Sequence, residues 1–228
     1  MRVLIATAVA AERDAVVAGL PGRPGCHAVT AGAAVSGAIA PGAAATGVVT
    51  VDVVAVGVGP AAAAAGTAWR LARTPYDLVV SAGVAGAMPD RAGIGDVVIA
   101  TRSIAADLGA DSPDGFIPVS RLGFGDEVID AEPVLKHPDA VVGPVLTVST
   151  ATGTASGVES LARRHPDAVA EAMEGFGVAS AARLAGVRFA EIRTISNLIG
   201  PRDRTTWCLT EALTTLRDAV RTVTEDLA

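Results

Sequence analysis

Glu12, Glu174 and Asn197 are polar residues set in largely apolar surroundings, and their types suit acid–base and hydrogen-bonding chemistry. A carboxylate among apolar residues can serve as a general base or hold sugar hydroxyls, and an amide can donate to a leaving group. Glu12 follows an apolar run at 3–9, Glu174 lies in the segment 168–184, and Asn197 stands beside Ser196 at the end of a run at 188–196. Turns with little or no side chain accompany them. These are Gly57-Val58-Gly59-Pro60, Gly83-Val84-Ala85-Gly86 and Thr150-Ala151-Thr152-Gly153-Thr154.

Taken singly, each feature has an ordinary structural explanation. A Glu in a first helical turn partners the helix dipole, and glycines let a strand turn tightly into a helix. An acid at an element edge is usually solvated, and Asn favours turns and caps. Met173 and Phe176, beside Glu174, look like core. The argument for a site is convergence: in α/β sheets, ligands bind beyond the carboxyl ends of the strands, where these residues collect.

The elements that must position them alternate. Residues 3–9, 51–58, 77–84, 96–104, 144–150 and 188–196 read as strands, with helices following the first, at 60–73, and at about 206–227. The last helix repeats Leu213, Leu216, Val220, Val223 and Leu227 at three- to four-residue spacing, an apolar face for a sheet. Near-continuous apolar strands alternating with helices predict an α/β fold: one domain over 1–228, with a central mixed twisted sheet flanked by helices. The Gly/Ala-rich stretch 22–50 is expected to hold a hairpin or meander, and 105–140 has no clear pattern.

Composition excludes several classes. The chain has 228 residues, half of them hydrophobic, and a net charge of −6, which is incompatible with disorder. Lys136 is the sole lysine and the arginines are scattered, so no nucleic-acid partner is expected. Two cysteines, Cys26 and Cys208, make no disulfide framework and fit a reducing, cytoplasmic location. The uncharged stretch 28–51 is too weakly apolar to span a membrane, and the apolar N-terminal unit is shorter than a secretory signal. No membrane partner is expected.

Competing chemistries fit less well. Gly57-Val58-Gly59 follows a strand, but a dinucleotide site needs an acid near the end of the next strand, and Asp77 stands at its start. His27, His137 and His165 are isolated, so no metal is expected. There is no nucleophile elbow. No cofactor is called for.

Together, Glu12, Gly57-Val58-Gly59, the Val84-Ala85-Gly86-Ala87 turn with Gly95-Asp96, Ala172-Met173-Glu174-Gly175 and Ile195-Ser196-Asn197 resemble the purine nucleoside phosphorylase/nucleosidase family, in its order and over essentially the full length. The chain is most similar to the methylthioadenosine/adenosylhomocysteine nucleosidase branch. That resemblance implies a nucleoside phosphorylase-like fold and hydrolysis of an N-glycosidic bond. Glu12 would activate the water, Glu174 would bind the ribose hydroxyls, and Met173 would pack under the sugar. Val58, Gly59, Val84, Ala85, Gly86, Thr154 and Ser196 would line the substrate pocket. It also implies a homodimer or higher homo-oligomer, with a nucleoside and water as the small-molecule partners.

The departures matter. Adenine-cleaving relatives carry Asp where this chain has Asn197, and an amide cannot protonate adenine at N7. Asn197 can donate to N7 or to a 6-oxo group, so it suits a 6-oxopurine. Ala172 stands where that branch commonly has Glu, and Gly153 replaces a stacking aromatic, leaving Phe176 or Trp207 to stack. Asn197 and the tail Ile199-Gly200-Pro201-Arg202-Asp203-Arg204-Thr205-Thr206-Trp207 resemble a hydrolase subgroup whose substrate is acidic at the 5′ side, where Arg202, Arg204 or Arg102 could pair with it. Two alternatives stay open: a phosphate-dependent phosphorylase acting on inosine-type nucleosides, and a non-catalytic nucleoside-binding protein.

Overall fold

Alternation decides which helices cover which face of the sheet. In the first strand, β1 (Arg2–Thr7), Val3 and Ile5 point to one side while Leu4 and Ala6 point to the other, all almost fully buried. A computed structural model describes residues 1–20, 26–28, 49–225 and 227. The hairpin or meander expected for 22–50 falls almost wholly outside them.

The elements follow in chain order: α1 (Ala10–Gly19), β2 (Cys26–Ala28), β3 (Thr50–Ala55), α2 (Pro60–Leu71), β4 (Leu78–Ala87), β5 (Val97–Ala105), β6 (Gly109–Ala110) and β7 (Ile117–Pro118). Then come α3 (Val119–Leu122), β8 (Val128–Asp130), β9 (Val141–Thr147), α4 (Ala155–Arg164), β10 (Ala170–Ala172), α5 (Gly175–Leu184) and β11 (Arg188–Leu198). A single 3-10 turn at Arg204–Thr206 precedes α6 (Leu209–Glu225).

The six strands and the C-terminal helix read from the sequence are all present, within a few residues at their ends. The helix α6 starts later than residue 206 because Asp203 caps the 3-10 turn, its carboxylate accepting from Thr205 N–H. The three-residue strand β10 had no signal in the sequence, since it lies in an Ala-rich segment that reads equally well as helix.

The main sheet runs β10-β9-β5-β11-β4-β1-β3-β2, with β8 beside β5. β1, β3, β4 and β11 pair in parallel, while β5 is antiparallel to β11. β10 also pairs antiparallel with β4, so β4, β11, β5, β9 and β10 close into a small barrel. Its interior is built of small residues: Ala85, Ala87, Val98, Ala100, Val145, Ala170, Ala172 and Ile195, with the hydrogen-bonded Ser103 and Thr147 hydroxyls in register with Val145 and Ala172. Such tight closure admits mainly short side chains.

Helices α1 and α6 cover one face, where Val16, Leu216, Val220 and Val223 pack on Val3, Ile5, Val53 and Ile192. Helices α2 and α5 cover the other, where Ala63, Val178 and Ala182 meet Leu4, Val79 and Phe189. This is the mixed, helix-flanked α/β sheet expected. Gly177 lets α5 lie against α2, since a Cβ there would come within 2.2 Å of Pro60 O. Among the described residues, no helix is long and apolar enough to cross a membrane.

Candidate active site

A cleft of about 280 Å³ opens where β1, β4, β10 and β11 end. It brings together Glu12, Val84, Ala85, Gly86, Met173, Glu174, Ser196 and Asn197 of the residues expected from sequence. Val58, Gly59 and Thr154 are not among its walls. Val58 is exposed, and Thr154 caps α4 by accepting from Gly157 N–H. Gly59 instead reaches the site through its backbone, as described below.

Glu12 sits in the first turn of α1 and is 5% exposed. Its Oε2 accepts from Ala8 and Val9 N–H at 2.9 and 3.2 Å, so the carboxylate folds back over the start of its own helix. Its Oε1 accepts from Val84 N–H on β4 at 2.9 Å. The helix-terminus role and the role in the cleft therefore belong to one conformation. Burial pushes the Glu12 carboxyl above its ordinary range, against the pull of the Val84 bond and the Arg193 charge. An acid tuned in this way holds a proton more readily, as a general base requires.

Glu174 precedes α5. Its Oε1 accepts from Gly59 N–H at 3.1 Å, at the N-terminus of α2. Gly59 has φ +87°, in the left-handed region that favours glycine. Oε2 of Glu174 lies 3.5 Å from Arg193 Nη1.

Arg193, on β11, is a functional candidate that sequence reasoning missed. It is 1% exposed, and Nη2 donates to Ser81 Oγ at 2.9 Å. Burial alone would pull its guanidinium down, but Glu191, Glu174 and Glu12 override this and hold it charged. Its signal was an arginine paired with Glu191 inside an otherwise apolar strand. Such charges are rarely buried without partners.

Asn197 reaches the cleft through a bulge. Ile195 pairs with Ala85, but Asn197 rather than Ser196 pairs with Gly86. One extra residue turns the side chain at 197 away from the barrel interior that Ile195 occupies. Ser196 Oγ donates to Asn197 Oδ1 at 2.8 Å, which fixes the amide, and Nδ2 donates to Leu198 O at 2.9 Å.

The rim is formed by residues 198–203, Thr206 and Trp207. Arg202 lines it with its guanidinium 5.3 Å from the centre of the Trp207 ring. Arg204 does not line it, and Arg102 is paired with Asp167. Of the two aromatics considered for stacking, Trp207 lines the cleft, while Phe176, in the first turn of α5, packs against the core of Leu4 and Val79. Among the described residues, no group of three His, Cys, Asp or Glu side chains could hold a metal.

The phosphorylase superfamily matches residues 15–225 of the chain. The chain is 46% identical to futalosine hydrolase of Streptomyces coelicolor, over 96% of this chain and 94% of that protein. It is also 46% identical to futalosine hydrolase of Acidothermus cellulolyticus, over 95% and 87%. Its fold is similar to that of S-adenosylhomocysteine nucleosidase from Streptococcus pyogenes, with a TM-score of 0.78 and 23% identity over 100% of this chain and 98% of that one. The chain belongs to the phosphorylase superfamily and, within it, to the futalosine hydrolase family.

Proposed function

We propose that this protein hydrolyses the N-glycosidic bond of futalosine, releasing hypoxanthine and dehypoxanthine futalosine. The observation that carries the reading is the buried Glu12 carboxylate, aimed into a cleft that also holds Glu174 and Asn197. Glu12 takes a proton from the attacking water. Glu174 accepts from the ribose hydroxyls and Met173 packs against the sugar, fixing the ring for attack. As the bond breaks, charge develops on the base, and the Asn197 amide donates to it. Arg202, at the rim, pairs with the carboxylate of the 5′ substituent, and Trp207 stacks.

This reading places the reaction in menaquinone biosynthesis by the futalosine route. It takes the protein as a cytoplasmic homo-oligomer whose small-molecule partners are the nucleoside and water. Phosphorolysis would need a cationic phosphate site beside the sugar. Among the described residues, the cation nearest Glu12 and Glu174 is Arg193, and those two carboxylates with Glu191 already surround it.

The test is release of hypoxanthine from futalosine and from inosine, each with and without phosphate. Release from futalosine, indifferent to phosphate, is the expected result. Release that depends on phosphate would make the protein a phosphorylase and remove Glu12 from the role of water activator.

A further inference from the structure

The buried acids Glu12, Glu171 and Glu174 line the cleft, and Glu191 is fully buried outside its walls. Strand alternation sets Glu191 and Arg193 on the face of β11 whose Phe189 packs on Val178 and Ala182 of α5. Glu191 lies under the start of that helix. A Cβ on Gly175, the first residue of α5, would stand 2.3 Å from its Oε1 and 2.5 Å from its Oε2. A fully buried acid costs stability, and no step described above uses this one.

Its partner is Arg193, whose Nε donates to Glu191 Oε1 at 2.9 Å. The charges around that guanidinium come from three elements: Glu191 on its own strand, Glu174 at the start of α5 and Glu12 on α1. Strands β4 and β5 add only neutral hydroxyls, Ser81 accepting from Nη2 and Ser103 favouring the ionised form of Glu191. One cation thus serves three buried carboxylates. Whatever share of its charge Glu191 takes is withheld from the other two.

We propose that Glu191 is a positioning residue for hydrolysis: it fixes Arg193 through Nε and, by its own negative charge, keeps the guanidinium from fully neutralising Glu12. This rests on the reading above that Glu12 activates the water. Burial raises the Glu12 carboxyl while Arg193 draws it down, so an Arg193 without a competing partner would leave Glu12 a weaker base. Burial also pushes the Glu191 carboxyl up, against the pull of Arg193 and Ser103. The N-terminus of α5 favours a negative charge there.

Glu191→Gln isolates the charge. Its Oε1 still accepts from Arg193 Nε, and its NH₂ replaces Oε2, which accepts no hydrogen bond among the described residues. The acid limb of kcat/KM for futalosine should move to lower pH by about 0.5 unit or more, as removal of a like charge from a buried cluster requires. Glu191→Asp restores the charge and should return the limb to within about 0.2 unit of the wild type. Carbon-13 titration of the Glu12 carboxyl, in protein labelled at glutamate Cδ and assigned with Glu12→Gln, should show the same movements without substrate. If that titration stays in place in Glu191→Gln, Glu191 is only a structural prop, whatever activity is lost, and the proposal is overturned. A wild type that does not hydrolyse futalosine would defeat the hydrolase reading alone, and the carbon titration would still decide what Glu191 does to Glu12.

Discussion

Arg193 Nε donates to Glu191 Oε1 at 2.9 Å, and neither residue is more than 1% exposed. Glu191 does not line the cleft. Its effect on the site is to fix the guanidinium whose other nitrogens meet Ser81 and Glu174. Gly175 makes room for this, because a Cβ there would stand 2.3 Å from Glu191 Oε1. The glycine after Glu174 thus belongs to the support of the site as well as to the start of α5.

Removing one member of a buried ion pair leaves its partner without a countercharge. Arg193→Met should therefore lower stability by about 3–5 kcal/mol, and Arg193→Lys should recover part of that. Urea unfolding measures both. A variant with the wild-type midpoint and slope would mean that the carboxylates around Arg193 are held by something else.

Glu12→Gln should lower kcat by about 10²- to 10⁴-fold, the usual worth of a general base. The amide carries a further cost. Both Glu12 oxygens accept from backbone N–H groups, so the glutamine NH₂ must face Val84 N–H or the Ala8 and Val9 pair. A buried unmatched donor costs about 1–3 kcal/mol, so the variant should also unfold at lower urea. A stable variant with normal turnover would remove the base from this position.

The pH profile follows from the same burial. Glu12 acts only when ionised and its folded pKa lies above the ordinary 4.5. The acid limb of kcat/KM should therefore fall off at a higher pH than an exposed Glu would give. The sign for stability is opposite to that of a salt-bridged acid. Between 4.5 and the raised value the native state binds more protons than the unfolded state, so this contribution is lost as pH rises through that window. A limb at the position of an exposed carboxylate would contradict the assignment.

The sequence showed the strands and the row of polar residues at their ends, because apolar runs and glycine turns are local signals. It did not show Glu171, Glu191 or Arg193 as parts of one site. Glu171 lies in a three-residue strand whose pairing with β4 and β9 closes the barrel, and closure depends on residues about 85 positions apart in the chain. The fit of Gly83 and Gly175 against carboxylates is a contact across elements and leaves no pattern along the chain. Thr154 illustrates the converse: its neighbourhood suggested a pocket wall, while its hydroxyl caps α4.

Asn197→Asp should shift preference toward adenine nucleosides. The Asp Oδ1 would keep the Ser196 bond, and the second oxygen would replace Nδ2, which now donates to Leu198 O at 2.9 Å. An ionised carboxylate there would face a carbonyl oxygen, so the acid would be stabilised in its protonated form and able to protonate a base. Cleavage of adenine nucleosides should rise by about tenfold or more relative to the 6-oxo substrate. An unaltered base profile would show that position 197 does not read the base.

Gly83 tests the placement of the base without touching its chemistry. A Cβ at this position would lie 2.5 Å from Glu12 Oε1 and 2.9 Å from Arg193 Nη1. Alanine must therefore push the carboxylate off Val84 N–H or displace a fully buried guanidinium. Gly83→Ala should lower kcat by about tenfold or more, since small misplacements of a catalytic group are costly, while KM changes little. Gly93→Ala is the control, because its Cβ would meet nothing closer than Asp96 Oδ2 at 3.6 Å. If Gly83→Ala kept full kcat, Glu12 would tolerate displacement, and its bond to Val84 would not be what holds the catalytic base in register with the bound sugar.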